Sequence, residues 1–369
     1  MSVTRRLKTL QVGFVPLIDA APLIVAAELG LFKKHGLRVQ LSREIGWATI
    51  RDKIIFGHLD AAHALAALPF VATLGQGCVA CDCLTGLVLN RNGNAVTLSN
   101  QLRDLGVRDA ASLRRVIELR RPDRRFTFGV VFSSSSHHHL LRLWLESGRV
   151  HPDADVNIVV VPAPSMFDNL RNGHLDGYCV GEPWNSLAAR KGIGWSVATS
   201  LQLAPGHPEK VLMARRQFAE EHPEEYLRLI AAIYEGCVWC DQQENRETLA
   251  RMLARRGYVN VPYEYLRECL AGPANDDSGS EEPAHPLHVF HRNEVNVPTP
   301  IKGAWVMNHL LRLGQPRPST MSPALIAKVF RQDLFHAAVS LVDSDRPEPA
   351  AARPEIPFAI KTAIEPICC

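Results

Sequence analysis

The four residues Gly57-His58-Leu59-Asp60 recur as Gly173-His174-Leu175-Asp176. The same 116-residue spacing carries Gly13, in Gln11-Val12-Gly13-Phe14-Val15, onto Gly129, in Phe126-Thr127-Phe128-Gly129-Val130. Each half reads as apolar strand, loop, helix, second strand, loop, helix, Gly-His-Leu-Asp turn and third strand. That is one α/β unit used twice in register. Two similar lobes imply a cleft between them.

Strands are expected over 10–15, 37–44 and 61–68, with helices over 22–34 and 47–56, the alternation of parallel β-α-β units. Gly57 ends the second helix as a C′ glycine does. A strand over 87–96 leads out of the first lobe, and Asn90-Arg91-Asn92-Gly93-Asn94 has the chemistry of a turn at its end. The second copy places strands over 126–131, 156–161 and 177–180 and helices over 137–147 and 165–171. The chain crosses back over 205–210, and helices over 223–243, 247–255 and 263–270 rejoin the first lobe. Lobe one is therefore expected to comprise 1–94 and 205–342, and lobe two 95–204. Residues 343–369 form a Pro- and Ala-rich tail, and the acidic segment over 275–283 is a solvated loop.

Charge and cysteine usage narrow the function. A net charge of +3 from 41 basic and 38 acidic side chains gives no field that selects nucleic acid or an anionic membrane. The arginines at 114, 115, 120, 121, 124 and 125 lack the interleaved aromatics that stack bases, and read as a solvated helix face. Asp19, Glu28, Lys33 and Lys34 interrupt the most apolar N-terminal run, so no membrane span is expected. Thr4-Arg5-Arg6-Leu7-Lys8 looks like the start of a twin-arginine signal. Cleavage after it, however, would remove the strand holding Gly13, which favours a cytoplasmic protein over a periplasmic one. Nine cysteines at irregular spacing suit free thiols better than a disulfide framework. Cys237 and Cys240 continue the helical stripe Tyr226, Ile230, Ile233 and are expected in the core. The Cys78, Cys81, Cys83 cluster stays open between a structural and a redox or metal role.

The carboxyl ends of strands in such sheets face the ligand crevice, and a helix N-terminus there stabilises an anion. Ser135-Ser136-His137 opens the first helix of lobe two with hydroxyls and an imidazole, and the 116-residue spacing sets Ala21 opposite His137. Trp47 follows the second strand, and its indole N–H either points into the cleft or bonds a backbone carbonyl beneath the helix. Glu182, after Gly181, repels an anion and is expected to shape the hinge. His138, His139 and the spacing His285, His288, His291 do not read as metal sites, and neither metal nor cofactor is expected.

Several runs resemble one family, the nitrate- and bicarbonate-binding proteins of ABC importers and their cytoplasmic nitrate/nitrite sensor relatives, the NrtA, CmpA and NasS group. They are Val12-Gly13-Phe14-Val15-Pro16-Leu17 with Asp19-Ala20-Ala21-Pro22, Trp47-Ala48-Thr49-Ile50-Arg51-Asp52-Lys53, Leu59-Asp60-Ala61-Ala62-His63, Leu89-Asn90-Arg91-Asn92-Gly93-Asn94-Ala95, Ser136-His137, Gly177-Tyr178-Cys179-Val180-Gly181-Glu182-Pro183-Trp184-Asn185 and Pro208-Glu209-Lys210-Val211-Leu212. The resemblance covers about 10–212 and continues more weakly to about 315. It implies a type II periplasmic-binding-protein-like α/β fold, with two lobes, a ligand cleft and two crossover hinge segments. It also implies an oxyanion site of Trp47, Asn94, His137 and Lys210, with Ser136, Ala21 and Gly181 as secondary candidates. Indole, amide, imidazole and ammonium all donate, which suits nitrate or nitrite, whereas the hydroxyl of bicarbonate needs an acceptor. Asn94 departs from the glutamine of importer members by one methylene. The resemblance to the sensor branch further implies a non-enzymatic protein that sequesters an ANTAR-type transcription antiterminator and releases it on ligand binding. The alternative is the exported substrate-binding protein of a nitrate, bicarbonate or cyanate ABC importer.

Overall fold

A computed structural model describes residues 8–120, 123–271, 288–315 and 322–343 of the chain. The segment at 4–6, the acidic loop over 275–283, His285, and the tail from 344 with Cys368 and Cys369 lie outside the described residues. The strands are β1 (Thr9–Phe14), β2 (Arg38–Arg43), β3 (Ala61–Leu65), β4 (Cys83–Asn92), β5 (Asn94–Ser99), β6 (Thr127–Val130), β7 (Asn157–Val160), β8 (Gly177–Gly181), β9 (Gly194–Thr199), β10 (Pro208–Arg215) and β11 (His288–Val289). They form a six-stranded sheet ordered β11-β4-β10-β3-β1-β2 and a five-stranded sheet ordered β7-β6-β8-β5-β9. In each sheet three parallel strands meet an antiparallel strand contributed just after the chain has crossed between lobes, β10 in one and β5 in the other.

The repeat is visible atom by atom. Asp60 accepts from the Gln11 N–H at 2.8 Å, and Asp176 accepts from the Thr127 N–H at 2.8 Å. Each carboxylate thus fastens the Gly-His-Leu-Asp turn to the first strand of its own lobe. A Cβ on Gly13 would fall 2.5 Å from Leu59 Cδ1, and one on Gly129 2.8 Å from Leu175 Cδ1. Glycine therefore lets the turn's leucine close over the strand without the leucine having to shift.

Three expected elements differ in detail. The helix over 22–34 is two helices, Ala21–Glu28 and Leu31–Lys34, because Gly30 between them is left-handed at φ 70°. The strand over 61–68 stops at Leu65, and Leu68–Thr73 is a helix with proline in its first turn, where proline fits. The strand over 87–96 is the junction of β4 and β5, so Asn92-Gly93-Asn94 is the lobe crossing itself, with no long loop. Cys237 and Cys240 are buried on the helix Pro223–Asp241 alongside Tyr226, Ile230 and Ile233, as the stripe required. Arg124 pairs with Asp176, and Arg125 donates to the carbonyls of Asp153 and Val156. Among the described residues no helix is long and apolar enough to cross a membrane.

Candidate functional site

The four expected donors occupy the places where sheet ends meet the opposite lobe. Trp47 is the first residue of the helix Trp47–Ile55, directly after β2. Asn94 is the first residue of β5 and pairs in register with Gly181, the last of β8. His137 lies in the first turn of the helix Ser136–Ser147, whose N-cap Ser135 accepts from the His138 N–H. Lys210 sits near the start of β10. All four side chains are buried.

A chain of contacts joins them. Lys210 Nζ lies 2.7 Å from Asp19 Oδ2, 2.6 Å from Glu209 Oε1 and 5.4 Å from the Trp47 ring centre. Glu209 Oε1 is 3.7 Å from His137 Nε2 and accepts from Ser136 Oγ at 2.8 Å, so it links lobe two to β10. A Cβ on Gly181 would stand 3.3 Å from Asn94 Oδ1 and 3.6 Å from Asp19 Oδ2, so both side chains border the backbone at the end of β8. Ala21 contributes differently from expectation, because its N–H is engaged by the Ile18 carbonyl.

Buried polar atoms without protein partners occur on three of the four residues. Trp47 Nε1, Asn94 Nδ2 and Oδ1, and both ring nitrogens of His137 are buried and make no hydrogen bond within the protein. Such groups are costly unless something pairs with them. For Trp47 the bond to a backbone carbonyl, one of the two readings of the sequence, is not made. Its ring packs against His63 with centres 5.2 Å apart.

Burial opposes the charge on Lys210, yet Asp19 and Glu209 outweigh it and hold the ammonium above its usual range. Burial likewise opposes ionised Asp19 and Glu209, and Lys210 with the neighbouring histidines outweighs it, holding both carboxyls low. His137 is pushed down to about 3, chiefly by burial. It is therefore a neutral imidazole with one donor and one acceptor.

Several contributors escaped the sequence reading as site residues, although Asp19, His63 and Glu209 fall within the motifs quoted above. His63 Nδ1 accepts from the Val15 N–H, which leaves Nε2 to donate to Asp19 Oδ1 at 2.8 Å. His207 meets Glu209 Oε2 at 2.8 Å. His288 is buried with both ring nitrogens unpartnered. His139 stacks on His309 from the helix Pro300–Arg312, extending the seam between lobes. Glu182 is buried, its backbone carbonyl accepts from the Ile18 N–H across the lobes, and its carboxylate accepts from the Ser186 N–H, so it shapes the interface. Among the described residues no cluster of three or more His, Cys, Asp or Glu side chains is arranged to hold a metal ion.

The profile of the NMT1-like family matches residues 4–254. Over 334 residues the chain is 38% identical to the nitrate import ATP-binding protein NrtC of Synechocystis sp., covering 89% of this chain and 49% of that protein. The chain thus spans about half the length of the first curated relatives it matches. It is 31% identical over 346 residues to the nitrate/nitrite binding protein NrtA of the same organism, covering 91% of this chain and 77% of NrtA. The crystal structure of the periplasmic nitrate-binding protein NrtA from Synechocystis PCC 6803 superposes with a TM-score of 0.85 at 30% identity, over 92% of this chain and 90% of that one. These relatives are named for binding and import, and the two-lobed binding-protein fold is shared along nearly the whole chain.

Proposed function

Because the chain belongs to the NMT1-like family, together with the nitrate/nitrite- and bicarbonate-binding proteins, we propose that it binds a small planar oxyanion, nitrate or nitrite, between its closed lobes. The observation that carries this reading is the set of buried, unpartnered polar atoms on Trp47, Asn94 and His137 beside the Lys210 ammonium. Nitrate has three acceptor oxygens and no proton. Indole, amide, imidazole and ammonium donors from both lobes surround such a guest, each charge-assisted bond being worth about 1.5 to 3 kcal/mol. Binding across two lobes favours their closure, since the ligand gains its full contacts only there.

Closure can serve two purposes. The relatives, a nitrate/nitrite binding protein and a nitrate import ATP-binding protein, favour the substrate-binding role in an ABC importer, with the protein outside the cytoplasm. The finer reading drawn first from the sequence is a cytoplasmic sensor that holds an ANTAR-type antiterminator when empty and releases it on closing. Opposed affinities for ligand and partner would follow from that linkage.

Calorimetry of the purified protein with nitrate, nitrite, bicarbonate and cyanate tests the site. Micromolar binding of nitrate or nitrite is expected. Failure of all four anions to bind contradicts the reading. Cell fractionation then separates the two roles, and an antiterminator that co-purifies without nitrate and dissociates with it would select the sensor.

A further inference from the structure

The oxyanion site contains more negative charge than a bare anion receptor needs. Lys210 is flanked at 2.7 and 2.6 Å by Asp19 and Glu209, and all three are buried. One ammonium against two carboxylates leaves an excess negative charge before any ligand is counted. A second uncompensated charge in a low-dielectric interior is expensive.

His207 supplies the missing positive charge. Its Nδ1 lies 2.8 Å from the Ala204 carbonyl oxygen, and its Nε2 lies 2.8 Å from Glu209 Oε2. A carbonyl can only accept, so Nδ1 carries a hydrogen. The short contact to the carboxylate also needs a hydrogen, on one side or the other. A neutral imidazole has a single N–H and cannot serve both. The His207–Glu209 pair therefore holds one proton beyond a neutral imidazole and a carboxylate. With that proton included, Lys210, Asp19, Glu209 and His207 sum to zero.

We propose that His207 and Glu209 belong to the anion-binding machinery, and that the anion is taken up together with one proton held between His207 Nε2 and Glu209 Oε2. This rests on the oxyanion reading above and adds the chemistry of its regulation. Neighbouring groups do not substitute for that proton. Asp19, from the turn before the first helix, adds a negative charge, and Lys210 on β10 is already counted. Burial drives His63 on β3, His137 and His139 on the lobe-two helix, His309 on the helix Pro300–Arg312 and His288 on β11 toward their neutral forms. It also keeps the Cys179 thiol of β8 protonated. Ser136 is the remaining contact, donating to Glu209 Oε1 from the opposite lobe at 2.8 Å. Because that bond spans the cleft, closing the lobes and retaining the proton are linked.

Calorimetric titration of the full chain with sodium nitrate and sodium nitrite, in buffers of equal pH but different ionisation enthalpy, counts the protons directly. Uptake approaching one proton per anion is expected on the alkaline side, with affinity falling by about tenfold per pH unit there. His207→Gln keeps a donor toward Glu209 but does not titrate. It should bind more weakly at low pH, with no proton uptake and a flat pH profile. Should that variant fail to fold, Glu209→Gln, which removes the carboxylate charge and leaves Lys210 balanced by Asp19 alone, should likewise show no proton uptake and a flat pH profile, without the loss of affinity at low pH. Wild-type binding with unchanged affinity across pH and no buffer-dependent heat overturns this proposal alone. Absence of binding by both anions at every pH overturns the oxyanion reading with it.

Discussion

Lys210 Nζ reaches back to Glu209 Oε1, its own sequence neighbour, at 2.6 Å. Successive residues of a regular strand face opposite sides of a sheet. Here the pairing of β10 with β4 slips between Pro208 and Lys210 and again between Lys210 and Val211. Such an irregularity re-aims side chains, and it allows the ammonium to stand between two carboxylates at the end of the sheet.

Replacing Lys210 separates affinity from stability. Lys210→Met strands Asp19 and Glu209 without their cation in the interior, so nitrate binding should be lost and folding stability should fall by about 3 to 5 kcal/mol. Trp47→Phe keeps a ring against His63 and removes only the N–H. Its stability should stay close to wild type while affinity drops about tenfold or more. Urea unfolding and calorimetry on both variants check the split, and equal affinity in the two would reject the assigned roles.

On the proposed reading, the length of the Asn94 side chain sets how far its amide reaches toward the anion. Its amide lies against the space above Gly181, and Asn94→Gln advances that amide by one methylene. The variant should favour the smaller nitrite over nitrate by several-fold, on the order of 1 kcal/mol in the difference. Competition titrations with the two anions measure the ratio directly, and an unchanged ratio would remove Asn94 from the set that selects the ligand.

The architecture was legible because its determinants are local and repeated. Gly13 with Leu59 and Gly129 with Leu175 are the same close approach, and Asp60 and Asp176 make the same bond to the first strand, so one spacing in the sequence located both units. Trp47, Asn94, His137 and Lys210 were singled out through the motifs around them, and the fold buries all four. The partners of Lys210 were not, because Asp19, His207 and Glu209 meet it through the turn before the first helix and a slipped register that no periodicity announces. The pairing of His139 with His309 and the burial of His288 likewise depend on how distant segments dock. Helix and strand ends moved where a single residue decides them, as at Gly30 and at the proline-led helix after Leu65.

The close approach at the repeat predicts a stability effect far from the ligand. A methyl at position 129 would lie 2.8 Å from both Leu175 Cδ1 and Met166 Sδ. Gly129→Ala should cost about 1 to 3 kcal/mol through overpacking, read as a lowered urea midpoint. Gly13→Ala should behave alike, since its Cβ would meet Leu59 Cδ1 at 2.5 Å. A neutral effect at both positions would contradict the packing described.

Acid should destabilise the protein well before its carboxylates are protonated. Burial lowers His137 to about 3 and His288 and His309 to about 4, whereas an unfolded histidine titrates near about 6.5. Between those values the unfolded chain binds protons that the folded one refuses. The stability associated with these groups is therefore complete above about pH 6.5 and is lost progressively as pH falls, each contributing up to about 1.4 kcal/mol per pH unit. Urea midpoints measured at about pH 7 and about pH 5 should show a clear drop, smaller in His309→Gln. A flat profile over that interval would mean these imidazoles are not held neutral.

A crystal structure grown in saturating nitrate tests the central claim most directly. It should show a planar anion within about 2.7 to 3.2 Å of Trp47 Nε1, the Asn94 amide, a ring nitrogen of His137 and Lys210 Nζ, enclosed by both lobes. An anion bound elsewhere, or closed lobes in which these four groups contact only protein, would contradict the account.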